Sequence, residues 1–246
     1  MKIIIKTELG SNVLDRQIKQ STPQNSEEAT SRWNHFSKKN TVRNKLISQQ
    51  KGICGYTEFN IKDFKSKSSA KRYGCHIEHI KPKDTYPEDT FNYNNLIISI
   101  LDDLDLQKFK KNEFIDIQPE INNSHTLYFG GHAKGNNYNS ELFITPVRSE
   151  YQKLFTYIED NGEIVPEKNL SEADKNKVIY TISLLNLNHP YLMNQRKKRM
   201  AEVLDDIDNL ETLEQQIEII KAELMDDEQG EITSFPSAIS SLVQGV

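Results

Sequence analysis

Apolar residues in this chain fall into short clusters separated by polar stretches, and their spacing predicts a mixture of strands and helices. Residues 1–6 read as a short strand and 11–20 as a helix or loop, followed by a polar linker with Pro23 over 21–30. From 29 to 51, Trp33, Phe36, Val42, Leu46 and Ile47 recur at helical spacing, and Gly52 is placed to stop that helix. The stretch 74–83, Gly-Cys-His-Ile-Glu-His-Ile-Lys-Pro-Lys, is a strand pattern halted by Pro82, and an apolar run to Ile100 opens at Asn95-Leu96. Leu142-Phe143-Ile144 reads as a strand. Residues 155–158 and 162–166 read as two more, joined by Asp160-Asn161-Gly162, a strong hairpin signal. Ser171, with Glu172 and Asp174 behind it, caps a helix that runs to about Leu185, and a second helix begins near Tyr191. Leu204, Ile207, Leu210, Leu213, Ile217, Ile220 and Leu224 then recur every three or four residues. The fold class this predicts is α+β.

Charge changes the picture along the chain. The net charge of -5 over 246 residues hides an asymmetry: residues 1–83 carry 17 Lys/Arg against 7 Asp/Glu, leaving 14 against 29 for the rest. The front is the electrostatic footprint expected for a polyanion. Residues 201–231 hold 12 acidic residues and one lysine, so the apolar stripe there has an acidic back. That fits a helix or helix pair packed on the body, the preferred reading, and also a docking surface for a protein partner. No run approaches the roughly 18 apolar residues of a membrane helix, so no membrane partner and a cytoplasmic location are expected. Two cysteines, Cys54 and Cys75, make no disulfide framework. No GxxxxGK[ST] phosphate loop and no internal repeat occur, so any ATPase function belongs to another chain.

The chemistry concentrates in 74–83. Glu78 offers a divalent cation the hard oxygen it needs, and His79 is a side chain able to take a proton from water at neutral pH. Strict strand alternation points neighbours to opposite faces, so the pair can cooperate only where the strand ends. The stretch 62–72 is basic, with Lys62, Lys65, Lys67, Lys71 and Arg72 placed to meet phosphates beside the motif.

Cys75-His76-Ile77-Glu78-His79, followed by Lys81-Pro82 and then by Phe91 to Leu96, resembles the HNH endonucleases of the PtuB type, found in anti-phage Septu systems and related retrons. The likeness extends to Gly52-Ile53-Cys54-Gly55-Tyr56, to Gly131-His132-Ala133-Lys134-Gly135-Asn136, and to Leu185-Asn186-Leu187-Asn188 with Arg196 beyond. It implies a ββα-metal nuclease module over 52–145, an N-terminal arm over 1–51, and a hairpin with a helical part over 146–246. It implies His79 as general base, Asn95 as the residue that ties down the loop and orients it, and Glu78 with a residue of the third element on one Mg²⁺ or Mn²⁺. That third position follows the family's last cysteine directly and is held here by Gly131. His132, one residue on, is the expected ligand, and Asn136 stays open. His76, Lys81, Lys83 and Lys134 are the expected nucleic-acid contacts. Relatives with two Cys-x-x-Cys pairs hold a structural zinc; Cys54 and Cys75 cannot supply that set, so no zinc is expected. The implied partners are nucleic acid, most readily DNA, and an ATPase subunit, PtuA, in anti-phage defence. A nucleic-acid-binding or docking subunit with a degenerate HNH site is the competing expectation.

Overall fold

The computed structural model describes residues 1–6, 11–64, 74–102, 106–107, 128–147, 153–208, 210 and 212–242. Lys65, Lys67, Lys71 and Arg72 of the basic stretch lie outside the described residues, as does the greater part of 102–124.

Three helices, α1 (Asn12–Gln20), α2 (Ser26–His35) and α3 (Lys39–Gln49), lead into an antiparallel pair, β1 (Cys75–His79) and β2 (Leu96–Ile100). The single helix expected over 29–51 is two. The Asn25 side chain accepts from the Glu28 N–H and starts α2 one turn early, and Phe36 takes an extended conformation that ends it. Phe36 packs its ring on Trp33 and Phe91 in the core. Residues 1–6 form no strand; Ile4 N–H donates to the Pro146 carbonyl instead.

The register of the pair is Cys75 with Ile100, His76 with Ser99, Ile77 with Ile98, Glu78 with Ile97 and His79 with Leu96. Alternation divides the sheet between two cores. Cys75, Leu96 and Ile98 pack with Trp33, Val42 and Leu46 under the three helices, and Ile77 lies against the same cluster. Ile97 joins a larger cluster that includes Phe129, Phe143, Ile144, Leu185 and Met200. All of β2 is buried.

A one-turn helix α4 (Gly131–Lys134) lies over the second face of the sheet, and Gly131 N–H donates to Ser99 Oγ at 3.1 Å. The expected strand at 142–144 is buried but irregular: Phe143 N–H bonds to the Asn139 carbonyl and Ile144 N–H to Thr181 Oγ1, so no ladder partner is needed. The hairpin is as expected, with β3 (Phe155–Tyr157) paired to β4 (Ile164–Pro166). Gly162 in its turn has φ +74, and a Cβ there would stand 2.0 Å from the Met193 carbonyl oxygen.

Helix α5 (Glu172–Leu185) starts at Ser171, whose side chain accepts from the Asp174 N–H, and stops at Asn186 in the left-handed region. Then come α6 (Pro190–Ile207), α7 (Leu213–Glu223), opened by a Thr212–Gln215 capping box, and α8 (Pro236–Ser240). The acidic stretch is thus a helix pair with Met200, Val203 and Ile220 in the main core. Buried Arg196 donates to the carbonyls of Gly162 and Leu187, tying α6 to the hairpin. Residues 232–235 return to the stretch that follows α3, where Ile232 N–H meets the Lys51 carbonyl and Phe235 N–H the Glu58 carbonyl. Among the described residues no helix is long and apolar enough to cross a membrane.

Candidate active site at the end of strand β1

Because β1 alternates, His76 and Glu78 share the face that α4 covers, while His79 turns to the helical core. The expected base and the expected carboxylate therefore lie on opposite faces of the strand, at its last two positions.

His79 is 8% exposed and packs edge-on against Trp33, with ring centroids 4.6 Å apart. Its Nε2 lies 3.0 Å from the Thr90 carbonyl. A carbonyl oxygen only accepts, so Nε2 carries the proton and Nδ1 of the neutral ring keeps the lone pair. Burial lowers the ring to about 4, against the raising effects of Thr90 and the Glu78 charge; Lys83 and Lys134 add smaller lowering effects. The imidazole is neutral at pH 7.

Asn95 holds the turn that presents this ring. Its Oδ1 accepts from Lys81 N–H at 2.7 Å, and its Nδ2 donates to the carbonyls of Lys81 and Asp89 at 3.0 and 3.1 Å. Thr90, whose carbonyl meets His79, is the next residue. Asn92 and Lys81 both bond the Asp89 carboxylate, closing the same loop from outside.

Glu78 is approached from two sides. Lys134, 1% exposed, places Nζ 2.9 Å from Oε1, and His76 Nε2 lies 3.3 Å from Oε2. Burial alone would raise the carboxyl; the Lys134 charge and the His76 contact outweigh it and hold the group at about 2. Gly131 stands directly beside both groups: a Cβ on it would come within 2.9 Å of Glu78 Oε2 and 3.0 Å of His76 Nε2.

The structure brings Glu78, His76, Lys134 and Gly131 together. His132 joins the edge of this group, with its ring 4.6 Å from that of His76 and its Nε2 3.3 Å from the Leu101 carbonyl, which also meets His76 Nδ1. Asn136 is exposed on the turn beyond α4. Lys81 is engaged with Asp89 at 2.8 Å, and Lys83 is half-buried. Among the described residues no three His, Cys, Asp or Glu side chains are grouped to hold a metal. Cys54 and Cys75 are both free and buried, the first beside Ser99 and the second accepting from Arg43 Nε.

Sequence reasoning missed the pairing of Lys134 with Glu78 and the carbonyls of Thr90 and Leu101. A lysine one turn from a Gly-Gly step is the faint signal for the first. Backbone carbonyls leave none.

No known protein-family profile matches the chain. It is similar to a protein of Vibrio cholerae serotype O1 biovar El Tor described as "Retron Vc95 putative HNH endonuclease", with 26% identity over 172 residues, 68% of this chain and 66% of that protein. The match thus spans just under two thirds of that relative's length.

Proposed function

We propose that this chain is a divalent-metal-dependent HNH endonuclease that cuts nucleic acid, most readily DNA. The observation that carries this is His79: a neutral imidazole at the end of β1, its Nε2 committed to the Thr90 carbonyl, its Nδ1 left as the base, one residue from an ionised carboxylate. The likeness to a protein described as an HNH endonuclease supports it.

In this reading His79 Nδ1 takes the proton of the attacking water. Asn95 keeps residues 81 and 89 in place, so the Thr90 carbonyl holds the ring at the correct tautomer and angle. Glu78 would hold the cation through Oε2, since Lys134 stands on Oε1. The cation, when bound, supplies positive charge for the phosphoryl oxygens. The pair β1–β2 followed by α4 is read as the ββα module, within the span 52–145. By the motif likeness and the retron name of the relative, the activity belongs to anti-phage defence in the cytoplasm, beside an ATPase of the PtuA kind.

Two observations favour a second reading, a nucleic-acid-binding subunit without cleavage. Lys134 already neutralises Glu78, and Gly131 offers no side chain where the resemblance expects a ligand. Nicking of supercoiled plasmid in Mg²⁺ and Mn²⁺ separates the two. The wild type nicks, and His79→Ala is slower by about 10²- to 10⁴-fold. Equal rates remove His79 as base; a wild type that binds plasmid and never nicks it is the second reading.

A further inference from the structure

His76 sits at i and Glu78 at i+2 on the same face of β1, and the geometry between them is specific. His76 Nδ1 is 2.5 Å from the Leu101 carbonyl. That oxygen can only accept, so Nδ1 is the protonated nitrogen and Nε2 of the neutral ring presents its lone pair. The lone pair faces Glu78 Oε2 at 3.3 Å. Two acceptors held this close repel unless a cation lies between them, either a proton on the ring or a metal ion.

The 3.3 Å separation suits a hydrogen bond from a protonated ring, and it equally suits a shared ion. Two ligands each about 2.1 Å from one ion, at the 90–110° angles of octahedral or tetrahedral sites, stand about 3.0–3.4 Å apart. A backbone carbonyl on the far nitrogen is also the support that metal-bound imidazoles characteristically have. Gly131 packs against the pair without a side chain of its own, and a Cβ there would intrude within 3.0 Å of both groups. Lys134 is on the other oxygen of Glu78, so it leaves Oε2 for a second positive charge.

We propose that His76 Nε2 and Glu78 Oε2 are ligands of one divalent cation, with water and substrate oxygens completing its shell, and that His132 is not a ligand of it. This deepens the nuclease reading and rests on it only for the substrate oxygens; the ion-binding claim stands on the pair. An imidazole in the set makes the site favour first-row transition ions such as Mn²⁺ and Co²⁺ over Mg²⁺ and Ca²⁺, which take oxygen ligands. His132 donates to the same Leu101 carbonyl and acts as a positioning residue for the His76 ring.

The test is Mn²⁺ binding to the full chain, alone and with a short DNA duplex, read by the electron paramagnetic resonance of free Mn²⁺ and by nitrogen hyperfine coupling of the bound ion. Wild type labelled with ¹⁵N-histidine is expected to show imidazole coupling. His76→Ala and His76→Asn are expected to lose it and to weaken Mn²⁺ binding by about 10- to 100-fold. His132→Ala is expected to keep it. Should the His76 variants fail to fold, coupling in wild type that vanishes in His132→Ala still overturns the assignment, and coupling that survives there supports it. Coupling that persists in a folded His76 variant overturns it too. Absence of coupling in wild type with and without duplex makes the pair a plain ion pair of imidazolium and carboxylate, which overturns the proposal. Plasmid nicking by the same preparation then decides whether the nuclease reading survives.

Discussion

Lys134 Nζ lies 2.9 Å from Glu78 Oε1 with the lysine 1% exposed, so a buried ammonium and the carboxylate at the centre of the site are joined before any other cation arrives. An ion pair taken out of water is destabilising when halved and close to neutral when both partners are replaced. Lys134→Met is therefore expected to lower stability by about 3–5 kcal/mol, and Glu78→Gln with Lys134→Met to recover the greater part of it. Urea unfolding of the two single variants and the double variant measures this. Additive losses would mean that the two groups act independently.

Asn95 satisfies one N–H and two carbonyls with a single side-chain amide. Asn95→Ala strands all three, each at about 1–3 kcal/mol where water cannot reach. Asn95→Asp keeps the bond from Lys81 N–H and loses both donations, so its cost is expected to be the smaller of the two only if Lys81 N–H is the dominant partner. Both variants are expected to slow nicking beyond their loss of stability, because the Thr90 carbonyl follows Asp89 directly. A folded Asn95→Ala protein at 15 °C that nicks at the wild-type rate would show that His79 needs no such support.

Lys6 gives the protein a pH dependence away from the site. Its ammonium bonds the Leu96 carbonyl and stands 4.6 Å from the Tyr93 ring, and burial lowers it from 10.5 to about 7. Between those values the unfolded chain binds the extra proton, so stability rises with pH through that window and is flat below it. The penalty is fully present below pH 7. Chemical denaturation at pH 6, 8 and 9.5 should follow this climb, and Lys6→Met should be more stable than wild type at pH 6 and lose the Lys6 share of the slope. An unchanged slope in Lys6→Met would assign the climb to other groups.

Chelation is expected to leave the fold in place. Cys54 and Cys75 are buried in different surroundings, one near Ser99 and the other bonded by Arg43, and the core around them is apolar. Melting in EDTA should match melting in buffer, and elemental analysis should find no stoichiometric zinc. One zinc per chain with a melting temperature that collapses in EDTA would reverse this.

Local patterns were legible in the residues themselves. The spacing of Phe155 to Pro166 around Asp160-Asn161-Gly162 specifies a hairpin, because that turn needs positive φ where Gly162 supplies it. Ser171 and Asn186 bracket α5 because one side chain satisfies an N-terminal N–H and the other accepts a left-handed conformation. Alternation in Cys75–His79 likewise decides, before any fold is known, that Glu78 and His79 diverge while His76 and Glu78 converge.

What covers each face of that strand was decided only in three dimensions. Nothing in the spacing of Trp33 and His79 says that they touch, and nothing in the 56 residues from Glu78 to Lys134 says that the lysine ends on the carboxylate. The break at Phe36 was hidden for the same reason: its apolar spacing is helical, and its extended backbone and its contact with the distant Phe91 leave no mark in that spacing. Residues 142–144 were apolar enough to read as a strand because burial, which that pattern reports, does not require a ladder when Asn139 and Thr181 take up the backbone N–H groups. Periodicity records which side chains leave water. Which partner receives them depends on contacts between segments far apart in the chain, and the candidate site of this protein is made of such contacts.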